Sequence, residues 1–144
     1  MFNSAEIFDS LSNILVDSLR EWNCDAHVYL FMPDHCHLLI QGNTDDSDLL
    51  GFMKNFKQRS GYWFSTQAKA CGYQKLIDGS RNLQVANVDK IRWQKDFYDH
   101  ILRKEEDINK QVYYILGNPL RRRIVSNWKE YPFKGSTIHD FKEW

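Results

Sequence analysis

The sequence predicts an α+β domain in which an antiparallel sheet is covered by helices. Three observations lead there. Apolar residues recur at helical spacing from Ile7 to Trp22. Two short apolar runs, Ala26 to Phe31 and Cys36 to Gln41, lie on either side of a proline-containing break. Two later stretches then return to helical spacing. At 144 residues the chain fits a single domain over 1–144, long enough to bury a core.

The first helix carries Ile7, Phe8, Leu11, Ile14, Leu15, Leu19 and Trp22 on its apolar side. It is entered near Ser4 and left near Asn23. Met32-Pro33-Asp34 breaks the apolar runs, because Pro33 removes a backbone donor and Asp34 suits a turn. The two runs therefore read as a hairpin. Gly42 to Ser47 is loop, and from Asp48 the residues Leu49, Leu50, Met53, Phe56 and Trp63 or Phe64 predict a second amphipathic helix. The pattern dissolves around Cys71 to Asp89. A short strand is expected over Lys90 to Phe97, then a third helix over Glu105 to Leu116 with Glu105, Glu106 and Asp107 in its first turn. Ile108, Val112 and Ile115 form its expected buried stripe, and Asn118-Pro119 interrupts it. The tail from Arg121 to Trp144 follows no clear period.

Composition excludes several classes. Nineteen basic residues balance nineteen acidic ones, which is not the footprint of a protein held to nucleic acid by bulk charge. Cys24, Cys36 and Cys71 are odd in number and widely spaced, so neither a disulfide framework nor a cysteine zinc site is indicated. A reducing, cytoplasmic setting is expected. The start of the chain lacks a signal-peptide pattern, and no apolar run reaches transmembrane length.

The chemistry concentrates in two places. His35 and His37 are two apart on a predicted strand, so both imidazoles leave the same face and can reach one metal ion. Alone that is weak evidence, since many such pairs are structural. Tyr114 and Asn118 are one helical turn apart, on the flank of the third helix's apolar stripe. Alone these read as a surface tyrosine and a helix-ending asparagine. Arg121, Arg122 and Arg123 are candidate phosphate contacts, as are Lys54, Lys57 and Arg59 on the second helix, though basic runs are as often solvated faces. Trp93 and Tyr98 are candidates for stacking on bases, or for the core.

Met32-Pro33-Asp34-His35-Cys36-His37-Leu38-Leu39-Ile40 resembles the M-P-N-H-x-H-L-L-I signature of the single-tyrosine transposases, and more closely that of their REP-associated branch within the HUH endonuclease superfamily. Three other stretches resemble the family in the right order. They are Trp93 to His100 with Arg103 to Asp107, Tyr114 to Pro119, and Tyr131 to Ser136. The resemblance covers roughly residues 7 to 136.

It implies a ferredoxin-like antiparallel sheet with helices on one face. It implies that His35, His37 and Asn118 are metal ligands and that Tyr114 is the nucleophile, with Cys36 in the usually apolar middle place and Tyr113 structural. The implied partner is single-stranded or hairpin DNA and the implied cofactor Mg²⁺ or Mn²⁺, although imidazoles alone would suit zinc. The implied reaction nicks DNA and transfers strands through a 5′-phosphotyrosine. Lys110, one turn before Tyr114, is a candidate source of positive charge for the phenol and for DNA. A non-catalytic DNA-binding descendant is the alternative. The family opens with a strand before the first helix, whereas six residues precede Ile7 here. The first strand is therefore expected to be absent, either because the chain is a truncated or decayed copy or because another segment, or a partner chain in a homodimer, takes its place. Asp34 stands where the family has asparagine.

Overall fold

The computed structural model describes residues 4–77, 93–95, 97, 99–102 and 107–144, with side chains for all of these except 68–77. Helix α1 spans Ala5–Glu21. Ser4 caps it, its hydroxyl accepting the Ile7 N–H at 3.2 Å. Asn23, at φ 51°, turns the chain out of the helix in the left-handed conformation that asparagine tolerates. Strand β1, Cys24–Phe31, follows at once and is antiparallel to β2, Cys36–Gly42. The Met32 N–H donates to the His35 carbonyl at 2.8 Å and closes the hairpin. Both strands are where the sequence placed them, β1 beginning two residues earlier.

A bulge between Ala26 and Val28 splits β1 into two registers. Cys24, Ala26, Tyr29 and Phe31 face a core built with Leu11, Leu15 and Leu19 of α1 and with Phe52, Phe56 and Phe64. Val28, Leu30 and Met32 face a second core with Val112, Ile115, Leu116 and Tyr131. Helices α1 and α2 supply the expected cover on one face, and α3 adds cover on the other. The arrangement is α+β with an antiparallel sheet, as predicted.

Helix α2 runs Leu49–Ile77, capped by Asp48, whose carboxylate accepts the Gly51 N–H at 2.9 Å. Its buried residues Phe52, Phe56, Ser60 and Phe64 repeat every fourth position, whereas Leu49 and Leu50 are exposed rather than in the stripe. The helix continues through Cys71 and Gly72, where the sequence pattern had faded. None of the described residues between 93 and 97 is in a strand, contrary to expectation. Trp93 instead packs on Phe56 and Phe64 and donates its indole N–H to Ser60 Oγ at 2.7 Å.

Helix α3 spans Ile108–Leu116 and begins later than expected, because Asp107 is its N-cap and accepts from the Asn109 and Lys110 N–H groups. Glu105 and Glu106 lie outside the described residues. Ile108 is exposed, and Leu116 takes its expected place in the stripe. A short α4, Asn118–Arg121, continues the path.

The tail returns to the sheet. Its strand β3, Lys134–Gly135, pairs antiparallel with the free edge of β1, giving the order β2-β1-β3. Around it, Phe31 N–H donates to the Phe133 carbonyl at 2.9 Å, Ala26 N–H to Thr137 Oγ1 at 2.9 Å, and the buried Tyr131 hydroxyl to the Phe31 carbonyl at 2.6 Å. Another segment of the same chain thus pairs the second edge of β1.

The Tyr29 phenol lies across Gly135, where a Cβ would overlap the ring. Gly135→Ala is expected to destabilise the fold by about 1–3 kcal/mol through overpacking. Gly61→Ala, inside α2 with open space around its Cβ position, should stabilise by about 0.5–1 kcal/mol. Urea unfolding of the two variants checks the opposite signs.

Candidate metal and tyrosine site

Strand alternation separates the three residues of the hairpin tip. His37 pairs across the ladder with Leu30, on the face covered by α3, while Cys36 pairs with Phe31 and packs toward the α1–α2 core. Burial pushes the Cys36 thiol up to about 12, so it remains a thiol, on the opposite side of the sheet from the histidine pair. His35 and His37 share one side. Their Nε2 atoms are 3.1 Å apart, with ring centroids at 4.8 Å and planes at 81°.

His35 Nδ1 donates to Asp34 Oδ1 at 2.6 Å, and Arg122 Nη1 reaches the two Asp34 oxygens at 3.3 and 3.2 Å. The bond from His35, supported by Arg122, holds the Asp34 carboxyl below its usual range. Burial, helped by the charges of His35, Arg121 and Arg122, pushes His37 from 6.5 down to about 4. His37 is therefore neutral near pH 7, the form a metal ligand needs. Arg122, through Asp34, is held beside His35.

Local backbone chemistry orients Asn118. Pro119 has no N–H to offer the Ile115 carbonyl four residues earlier, and the Asn118 side-chain amide donates there instead, at 3.0 Å. That fixes which end of the amide is bound and turns Oδ1 outward. Arg121 Nη2 donates to this oxygen at 2.8 Å and to the Tyr114 carbonyl at 2.6 Å. Its guanidinium also lies 4.2 Å from the centre of the Tyr114 ring. Tyr114 is 60% exposed, so its hydroxyl can meet a substrate. Tyr113 points elsewhere, its ring 4.9 Å from Trp144 and 6.4 Å from Trp128.

The donor set fits a divalent ion in kind, with two neutral-capable imidazole nitrogens facing each other and one amide oxygen on α4. Among the described residues, no cluster of three or more His, Cys, Asp or Glu residues is arranged to hold a metal. The candidate set consists of two histidines and an amide, leaving water and phosphate to complete it.

The basic candidates divide. Arg121 and Arg122 are engaged at the site itself. Arg123 and Lys110 are exposed. Lys57 lies away from the site, donating to the Gln94 and Lys95 carbonyls at 2.6 and 3.0 Å. Arg59 contacts Ser18 at 3.3 Å and approaches Asp17 and Glu21 on α1, and Lys54 is exposed. Tyr98 lies outside the described residues. Sequence reasoning missed the roles of Asp34, next to His35, and of Tyr131, which anchors the hairpin. The only available signals were adjacency for the first and a short motif for the second. No described helix is long and apolar enough to cross a membrane.

A family model described as "Transposase IS200 like" matches residues 1–115, which include His35, His37 and Tyr114 and stop short of Asn118. The chain belongs to this family. A protein of Haemophilus influenzae provisionally named as a REP-associated tyrosine transposase is 29% identical over 108 residues, covering 75% of this chain and 55% of that protein. The REP-associated tyrosine transposase of Escherichia coli K12 is 21% identical over 132 residues, 92% of this chain and 65% of its own length. The chain thus spans somewhat over half the length of these curated relatives. No solved structure matches it significantly.

The depressed His37 has a consequence for stability. Unfolded His37 takes up a proton near 6.5, while the folded protein resists it until about 4. Between those values the unfolded state binds more protons, so stability falls as pH drops through the window. In chelator-treated protein, the melting temperature of wild type should fall more between pH 7 and pH 5 than that of His37→Asn. Equal slopes would disprove the assignment.

Proposed function

We propose that the chain nicks and rejoins single-stranded or hairpin DNA, of the REP type in the branch it resembles, through a covalent bond from Tyr114 to a 5′ phosphate. One observation carries the reading. Arg121 touches both Tyr114 and Asn118, and its neighbour Arg122 bonds Asp34 beside His35, so the elements that carry the candidate nucleophile and the candidate ligands are tied together at one corner.

In the forward step the Tyr114 oxygen attacks phosphorus and the bond from phosphorus to the 3′ oxygen breaks. The phenol proton passes to solvent and the leaving oxygen takes one up, giving a phosphotyrosyl link and a free 3′-OH. Because the link conserves the phosphodiester bond, a 3′-OH can attack it and reverse the step. A divalent ion, Mg²⁺ or Mn²⁺, held by His35, His37 and Asn118 would polarise the phosphate and orient the scissile bond. Asn118 Oδ1 has a second lone pair beside the one that Arg121 takes, and through it the oxygen could join that set with the Arg121 guanidinium still in place. A free phenol titrates near 10 (about), so positive charge beside Tyr114 favours attack. Arg121 over the ring is better placed for this than exposed Lys110.

The second reading, a non-catalytic DNA binder of the same fold, draws support from the absence, among the described residues, of a cluster of three or more His, Cys, Asp or Glu residues that could hold a metal. Purified protein with Mn²⁺ and hairpin DNA separates the two. We expect an adduct that survives denaturation, abolished by Tyr114→Phe and retained by Tyr113→Phe. Well-folded protein that binds the hairpin without forming an adduct would favour the second reading.

A further inference from the structure

We propose that Asp34 is a positioning residue of this site. Anchored by Arg122, it holds His35 in the tautomer whose bare Nε2 faces His37, and so sets how tightly the pair takes a divalent ion. The inference rests on reading the histidine pair as metal ligands.

The 2.6 Å contact between His35 Nδ1 and Asp34 Oδ1 requires a proton on Nδ1, because an ionised carboxylate can only accept. With Nδ1 protonated, the neutral ring has its lone pair on Nε2, and Nε2 is the atom 3.1 Å from His37 Nε2. Which nitrogen of a histidine can bind metal is set by the partner of the other nitrogen, and a carboxylate partner also raises the ligand's basicity. Two facing nitrogens can share a proton or a cation, and Asp34 makes His35 the acceptor in either case.

Arg122 completes the device. It binds both carboxylate oxygens across 88 positions of sequence, from the turn after α4 to the hairpin tip. One oxygen is thereby shared with His35, and the carboxylate is held in the orientation that bond needs. The link also ties the element carrying Asn118 to the element carrying the histidines. Arg122 thus acts through Asp34, rather than as a phosphate contact alone. Asparagine at position 34 would keep an acceptor but lose both the charge and the ion pair with Arg122.

Asp34 is 62% exposed, and an ion pair this open contributes little to stability, so its removal should leave the fold intact. Loss of an outer partner of a ligand histidine typically weakens metal binding by about 10–100-fold. The two roles are therefore separable by experiment. Long-range nitrogen NMR of metal-free protein at pH 8 should show His35 protonated on Nδ1 in wild type, and this preference lost in Asp34→Ala. Titration with Mn²⁺ alone, followed by the free-ion paramagnetic resonance signal, should show affinity falling about 10–100-fold in Asp34→Ala. A smaller loss is expected in Asp34→Asn and Arg122→Ala, with Arg122→Lys partly restored and the exposed Asp46→Ala unchanged. Melting temperatures confirm that the variants fold. Wild type that takes no Mn²⁺ overturns the metal reading itself. Wild type that binds, with Asp34→Ala binding equally or with His35 protonated on Nε2, overturns the role of Asp34 and leaves the metal reading standing.

Discussion

Strand β1 is buried on both faces from Val28 to Phe31, and the rest of the structure follows from that constraint. A strand with core on each side can send none of its backbone groups to water, so both edges must be paired within the protein. β2 pairs one edge. The other is paired by the tail through β3, the Phe133 carbonyl and the hydroxyls of Ser136 and Thr137. The Tyr131 hydroxyl adds a bond to the Phe31 carbonyl at the strand's end. These contacts hold the end of β1 from which the histidine hairpin projects, and α3 is pinned against the same face by Val112, Ile115 and Leu116. The position of Tyr114 relative to His37 is therefore set by the second core.

Much of this order was legible in the residues. Helix α1 and the hairpin follow from apolar period and from Pro33, because local pattern and tertiary burial agree there. The period failed where burial is not periodic. Leu49 and Leu50 sit at the start of α2, before it meets the sheet, and are exposed despite their type. The apolar character around Trp93 reflects packing onto α2 rather than a strand. β3 is two residues long and takes its stability from partners about a hundred positions away, so no local signal marks it.

The site was legible as residues rather than as contacts. His35, His37, Tyr114 and Asn118 were noted by type and spacing and given roles only by the family resemblance, and the structure places the histidines face to face and the other two one turn apart. Sequence treated Arg121, Arg122 and Arg123 as one basic run. The fold distinguishes them, because Arg121 ends α4 and reaches back over Tyr114, while the turn that follows sends Arg122 across to Asp34 and leaves Arg123 exposed with φ at 57°. A run of like residues passing through a turn cannot be resolved by period, since each position points in a different direction.

The pairing of β1 with the tail also orders events in time. Ala26 and Thr137 are 111 positions apart, so the second edge of the central strand stays open until synthesis has passed residue 137. Contacts of such separation carry a loop-closure cost before they give any return, and they slow folding. On the ribosome, α1, the hairpin and α2 can assemble first, with both histidines already present but their strand half-paired. Tyr114 emerges before the segment that locks the hairpin. The corner that carries both histidines and Tyr114 is thus held in register only once the tail has docked on β1.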